Sequence, residues 1–338
     1  MDLVHADISI QNYQDLLRSS TPAYTERQHE FTSRYWSIPR KGKIGMNAWR
    51  KKFVNEVLTY IDHLGAPDII HAHTYLGGWV AMEIKRLLDI PYVITEHSTQ
   101  VLENRLSKTH HNIANQSYRH ADAMVAVGQA LAKVIQTKHG VDAQVIPNFI
   151  NVNLFNIAKD KDGLTEELQL IAIGDLIPRK NFDNLIRACE SLTLKYHLSI
   201  VGSGPEKARL VEQAKSANVS VTFFGQRSQE EISELLKKSH LLVHPSKSET
   251  FGIILIEAMA TGIPVISFNN GGAEDIITHQ SGILLRDIGV AALTRTIETV
   301  GNNYANYSPA DIRQVVLDRF SPSAIASQLI QLYSSHIG

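Results

Sequence analysis

Cysteine is almost absent: Cys189 is the only one in 338 residues. A lone thiol cannot close an internal disulfide, and a reducing, cytosolic compartment is the expectation. Its setting, Leu185-Ile186-Arg187-Ala188-Cys189, reads as an apolar helical pattern in which a cysteine serves as a small core residue. Net charge is also missing, since 33 Lys and Arg stand against 34 Asp and Glu. Composition therefore gives no sign of nucleic-acid binding, and no such partner is expected. No apolar run is long enough to span a membrane. The most apolar stretch, Phe251 to Phe268, is interrupted by Glu257 and by Gly262-Ile263-Pro264. Met1-Asp2-Leu3-Val4-His5 has no basic start and no apolar run behind it, so no leader is expected. Internal repeats and low-complexity tracts are lacking as well.

What is present is an alternation of short β-branched runs with longer helical patterns, which argues for parallel sheets wrapped by helices. The first half offers strands at Asp68–His71, Tyr92–Thr95, Ala123–Val127 and Gln144–Ile146. The second offers Leu170–Ile173, Leu198–Val201, Val221–Phe224, Leu241–Val243 and Val265–Ser267. Between them Asn148 to Gly163 turns polar and irregular. The expectation is an α/β chain of two doubly wound, Rossmann-like domains, 1–150 and 151–320, with ligand at strand C-terminal ends. The last stretch, Pro322 to Ser335, is amphipathic, with Ile325, Leu329, Ile330 and Tyr333 as its apolar side.

The most informative segment runs from Leu241 to Val265. A buried strand, Leu241-Leu242-Val243-His244-Pro245-Ser246, ends in a polar loop carrying Glu249. Gly252 to Ala260 then reads as an apolar helix ended by Thr261-Gly262. Glu249 thus precedes a helix N-terminus, whose free N–H groups favour anions, diphosphate above all. Glu257 lies about two turns further along on a related face.

This Glu-x7-Glu spacing, with Ser248-Glu249-Thr250-Phe251-Gly252 and Glu257-Ala258-Met259-Ala260-Thr261-Gly262-Ile263-Pro264-Val265-Ile266 around it, resembles the retaining glycosyltransferases of family 4. The resemblance spans most of the chain and is most specific from Leu170 to Leu285. It implies the GT-B fold, two Rossmann-like domains facing a cleft, with 321–338 packing back on the first. It also implies a nucleotide-sugar co-substrate, by family frequency UDP-linked, with no further cofactor and no metal. Glu249 would then bind the donor sugar's hydroxyls and Glu257 the ribose, with Thr250, Phe251 and Gly252 in the donor site. Two glutamates that happen to lie eight apart are the bland alternative.

Other segments carry the same resemblance. Gly174-Asp175-Leu176-Ile177-Pro178-Arg179-Lys180-Asn181 matches a family pattern whose basic groups neutralise the leaving diphosphate. Lys180 fits it, while Asp175 stands where the family has Arg. Arg179 is the substitute, weakened because neighbouring side chains at a helix start point in different directions. Gly202-Ser203-Gly204-Pro205-Glu206 reads as a donor-site wall or as a plain turn. Gly225-Gln226-Arg227 resembles the base-binding turn, where backbone groups do most of the reading. Asn270-Gly271-Gly272-Ala273-Glu274 reads as a structural turn beside the site. In the first domain His71 and His73 share one strand face, and zinc binding is disfavoured because no third ligand is spaced nearby. By the resemblance His97 approaches the donor sugar; a satisfied core histidine is the other reading, and Glu96 is ambiguous. Val145-Ile146-Pro147-Asn148 resembles a junction turn of the family.

Phe31 to Asn55 contains no acidic residue, gathers Arg34, Arg40, Lys41, Lys43, Arg50, Lys51 and Lys52, and interleaves Trp36 and Trp49. A solvated basic face and an anionic membrane patch are both open. Met1 to Ile8 reads like the family's second strand, so an opening βα unit of roughly thirty residues is expected to be missing. Asp160-Lys161-Asp162 reads as solvated linker rather than a metal site.

The activity implied is sugar transfer from a nucleoside-diphosphate sugar to a hydroxyl of a glycan or lipid-linked acceptor. It would take place in the cytoplasm or at the inner face of the membrane. A nucleotide-sugar epimerase on the same fold and a nucleotide-sugar binder without turnover are the rival readings.

Overall fold

The alternating pattern resolves into two parallel sheets in a computed structural model that describes residues 43–158 and 167–337. The strand read at Met1–Ile8, the part of the basic tract from Phe31 to Gly42 and the Asp160-Lys161-Asp162 triplet lie outside the described residues. Contacts divide the chain into two units, Met1–Ile146 with Leu329–Gly338, and Pro147–Gln328.

The first unit carries β1 (Ile70–His73), β2 (Tyr92–Glu96), β3 (Ala123–Ala126) and β4 (Gln144–Val145), parallel and in that order. Every residue of β2 is buried, as expected of a strand covered on both faces. Its helices are α1 (Lys43–Leu64), α2 (Thr74–Leu88), α3 (Thr99–Leu102), α4 (Lys108–His120) and α5 (Gln129–His139). On α1, Trp49, Phe53, Val57 and Ile61 recur every four residues and pack with Val54 against Val80 and Ile84 of α2. Arg50 lies 4.7 Å from the Trp79 ring centroid and 3.4 Å from Glu83. Trp49 and Arg50, two residues of the basic tract, are therefore used in packing α1 onto α2, while Lys51 is exposed.

The second unit carries β5 (Leu168–Ile173), β6 (Tyr196–Val201), β7 (Val221–Gly225), β8 (Leu241–His244), β9 (Val265–Phe268) and β10 (Gly282–Leu285). All are parallel, in the order β10-β9-β8-β5-β6-β7. The short β10 edge strand has no counterpart in the sequence reading; four residues of which the first is a glycine give too little pattern. The helices are α6 (Phe182–Glu190), α7 (Lys207–Ser216), α8 (Gln229–Lys237), α9 (Ile253–Ala260), α10 (Val290–Asn302), α11 (Pro309–Phe320) and α12 (Pro322–Ser334), the division between units falling within α12. On α6, Phe182, Leu185, Ile186 and Cys189 sit at i, i+3, i+4 and i+7 and are buried with Leu170, Leu198 and Leu241 in one core. Each such side chain contributes about 1.5–3 kcal/mol. Burial pushes the Cys189 thiol up to about 12, so it stays an inert core group.

One expectation on α12 needs correcting. Ile325, Leu332 and Tyr333 are buried, whereas Ile330 is 44% exposed. Leu332 and Tyr333 follow Ile325 by seven and eight residues and share its face, but Ile330 is turned about 140° away.

The strand order reverses between β5 and β8. The chain proceeds to one side from β5 and to the other from β8, so the carboxyl ends of these two neighbours are the switch point at which sheets of this kind take their ligands.

Candidate functional site

Two clusters of chemically active side chains form, one at the strand ends of each unit. In the second unit the loops after β5 and β8 meet at the point where the strand order reverses. After β5 the chain makes a 3-10 turn, Pro178–Lys180, closed by Asn181 in the left-handed conformation (φ 59°). Asparagine tolerates that backbone, as glycine does.

Lys180 Nζ donates to Glu249 Oε1 at 2.5 Å. Arg179 Nη1 donates to the Ser248 carbonyl at 2.5 Å and lies 3.5 Å from Glu249 Oε1. The argument that Arg179 and Lys180 must diverge is thus corrected. Lys247 N–H donates to the Arg179 carbonyl at 3.0 Å. That bond lays the 247–249 loop across the turn, so both side chains reach it. Asp175 is exposed at the end of β5.

Glu249 is 9% exposed and also accepts a contact from His244 Nε2 at 3.2 Å. Burial alone would raise its carboxyl, but the His244 hydrogen bond and the Lys180 charge outweigh that and hold it well below the usual range. His244 is fully buried, and burial pushes its imidazole toward the neutral form. Sequence reading placed His244 in a strand and gave it no role; the signal that was available is a histidine in the last, buried position of a central strand.

Glu249 N–H donates to the Asn270 carbonyl at 2.9 Å. Asn270 Oδ1 accepts from Gly272 and Ala273 N–H, and Glu274 accepts from Gly271 N–H at 2.9 Å. The 270–274 segment is thus a hydrogen-bonded turn that supports the Glu249 loop. Thr250, Phe251 and Gly252 lead from Glu249 into α9. Phe251 is buried against Phe320. Gly252 takes φ +104°, and no side chain caps the helix it starts. Glu257 on α9 is 7% exposed, and its carboxyl has no hydrogen-bond partner among the described residues. Burial raises it to about 7.

Gly202 and Gly204 are required by close packing. A Cβ on Gly202 would stand 1.9 Å from the Gly174 carbonyl oxygen, and one on Gly204 2.5 Å from that of Leu176. Backbone bonds from Gly174 to Val201 (3.0 Å) and from Leu176 to Ser203 (2.8 Å) tie the two loops together. Gly202 N–H also donates to the Gly225 carbonyl at 2.8 Å. Beyond it Gln226 and Arg227 are exposed, with Arg227 3.6 Å from Glu231 of the α8 capping box.

In the first unit the ends of β1 and β2 hold His73 and His97, ring centroids 5.6 Å apart. His97 is exposed, which removes the core-histidine reading. His71 and His73 stack at 5.0 Å, as alternation along one strand requires. His71 Nε2 meets Thr95 Oγ1 at 2.7 Å and its Nδ1 meets the Tyr333 hydroxyl. The ambiguity over Glu96 ends here. It is fully buried and accepts from Tyr75 N–H (2.8 Å), Tyr118 O–H (2.6 Å), His97 N–H (3.0 Å) and Ser98 N–H (2.8 Å). Its four partners make it a support for the His97 loop and the α2 start. Among the described residues no three His, Cys, Asp or Glu side chains are gathered to hold a metal ion. No described helix is long and apolar enough to cross a membrane.

Residues 15–154 match the family model Glycosyltransferase Family 4, and residues 155–313 match Glycosyl transferases group 1. Glycogen synthase of Mycobacterium tuberculosis is 26% identical over 298 residues, covering 80% of this chain and 70% of its own length. The solved sucrose-phosphate synthase of Thermosynechococcus elongatus superposes with a TM-score of 0.78 at 24% identity, over 91% of this chain and 83% of that one. HepE of Anabaena, solved in complex with UDP, does so at 0.75 and 23% identity, over 84% and 82%. With one glycosyltransferase model on each half and two parallel-sheet, Rossmann-like units beneath them, the chain belongs to the family 4 and group 1 glycosyltransferases of GT-B fold.

Proposed function

We propose that this glycosyltransferase moves a sugar from a nucleoside-diphosphate sugar, UDP-linked, to a hydroxyl of a glycan or lipid-linked acceptor, with retention and without a metal. The observation that carries this reading is Glu249: a carboxylate kept ionised at the strand-order reversal, between Lys180 and an uncapped helix start. The complexes of HepE with UDP and with UDP-glucose support the choice of donor.

In this reading Glu249 orients the sugar through its hydroxyls. Lys180 has three donors, and one of them holds Glu249, leaving two for diphosphate oxygens. The N–H groups at the α9 start add partial positive charge to the same leaving group. Glu257, buried with no hydrogen-bond partner among the described residues, accepts from the ribose hydroxyls. Gly202 and Gly204 supply a flat backbone wall, and the 225–227 turn reads the base. His97 keeps the sugar-contact role that the family resemblance implies for it. The acceptor oxygen bonds to the anomeric carbon as the sugar–phosphate bond breaks. The acceptor's proton passes to the departing phosphate oxygen, so the protein acts by position and charge.

Calorimetric titration with UDP, GDP and ADP, then with the sugar conjugates of whichever binds, tests the reading. Binding of one nucleotide and turnover lost in Glu249→Ala are expected. Undiminished turnover in that variant refutes the assignment. Asp175, an acid where the family has Arg, favours a second reading as a binder without turnover, which tight nucleotide binding with no transfer to any acceptor would support. Association with an anionic membrane surface is a further part of the proposal; failure to sediment with anionic liposomes at low salt removes it.

A further inference from the structure

His244 is 2% exposed at the carboxyl end of β8, and its Nε2 lies 3.2 Å from Glu249 Oε1. An ionised carboxylate can only accept, so Nε2–H is the donor. The charged groups facing the ring are Glu249, Lys180 and Arg179. On the neighbouring strand its register partner is the neutral Ser267. The contacts to Glu249 are lopsided. Oε1 takes His244, Lys180 and the more distant Arg179, while Oε2 takes no hydrogen bond among the described residues. Lys180 brings charge on a flexible stem and does little to fix direction. An imidazole locked in the core at the end of a strand has one direction only.

We propose that His244 is a positioning residue for Glu249: its Nε2–H fixes Oε1 and so turns Oε2 toward the donor's sugar hydroxyls. It holds that orientation while the two other Lys180 donors are turned to the diphosphate. This rests on the reading that Glu249 contacts the sugar, and it adds a residue that touches neither sugar nor phosphate.

The test compares wild type, His244→Met, His244→Gln and Glu249→Ala. Each is titrated with UDP, GDP and ADP and with the glucose conjugate of whichever binds wild type. The slow release of nucleoside diphosphate from that conjugate, water being the acceptor, is followed from pH 5 to 8, and thermal melting is recorded alongside. His244→Met should bind the bare nucleotide as wild type does and lose about tenfold or more in conjugate affinity or release rate, the worth of one hydrogen bond to a charged group. His244→Gln places an amide donor near the same point and should recover most of the loss. Wild-type behaviour of His244→Met toward the conjugate overturns the inference. So does a parallel loss of melting temperature and bare-nucleotide binding without rescue by Gln, which marks a merely structural role. If Glu249→Ala is also unimpaired, or no nucleotide binds wild type, the functional reading fails first and this inference with it. If Glu249→Ala is impaired and His244→Met is not, only this inference fails.

Discussion

Replacing Glu257 by Gln should stabilise the protein, and increasingly so as pH rises. The carboxyl is buried on α9 without a hydrogen-bond partner among the described residues, and burial raises it from 4.5 to about 7. The folded chain therefore holds this proton more tightly than the unfolded chain. Its stability is highest below about 4.5 and falls as pH climbs through about 7. Fully ionised, the side chain costs about 3 kcal/mol. Glutamine keeps the shape and removes the ionisation, and its buried amide is as poorly paired as the protonated acid. The two proteins should match near pH 4 and differ by about 3 kcal/mol at pH 8 or above. Denaturant unfolding at half-unit pH steps without nucleotide measures the difference, and a gap that does not change with pH refutes the reasoning. The same carboxyl gives a binding signature. At pH 7 about half the wild-type molecules carry the proton. Ribose hydroxyls donating to the carboxylate would expel it, so nucleotide binding should release up to about half a proton. Titration in buffers of different ionisation enthalpy reads this number, and Glu257→Gln should lower it by up to about half a proton.

Three further outcomes follow from the geometry. Lys180→Ala should lower turnover about 10²–10³-fold with the fold kept, since it removes the charge nearest the leaving group; steady-state kinetics with a loss under about threefold would count against that role. Asn181→Gly should raise stability by about 1 kcal/mol and Asn181→Ala should lower it, as seen in thermal melts. The residue sits at φ 59° with both amide atoms buried and unpartnered among the described residues, so glycine removes an orphaned group and suits the backbone. Arg50→Ala should cost about 1–2 kcal/mol through its lost contacts to Trp79 and Glu83, while leaving any sedimentation with anionic liposomes unchanged. A drop in sedimentation with unchanged stability would place Arg50 on the outer face instead.

Much of the fold and some of the site were legible before any coordinates. Strands such as Leu198–Val201 stand out because β-branched runs in parallel sheets are apolar on both faces. The Glu249 and Glu257 positions were legible because a strand, loop and helix in sequence leave little freedom over seventeen residues. Gly202 and Gly204 were legible as glycines, but the reason for them was not, since the carbonyls of Gly174 and Leu176 that exclude a Cβ lie about thirty residues earlier.

Local order of elements, their periodicity and the motif cassettes were determined by the sequence itself, because backbone propensity and side-chain period act between near neighbours. Partnership was decided only by the tertiary structure. That β5 lies beside β8, bringing Lys180 and Arg179 to Glu249 from sixty-nine and seventy residues away, depends on strand order, which no local pattern encodes. Burial was decided there too. It raises both carboxyls, but Lys180 and His244 outweigh it at Glu249, while Glu257 has no such partner among the described residues, though the two share one residue type and one motif. A carboxyl's charge depends on the dielectric and the partners around it, and those are set by distant segments of the chain.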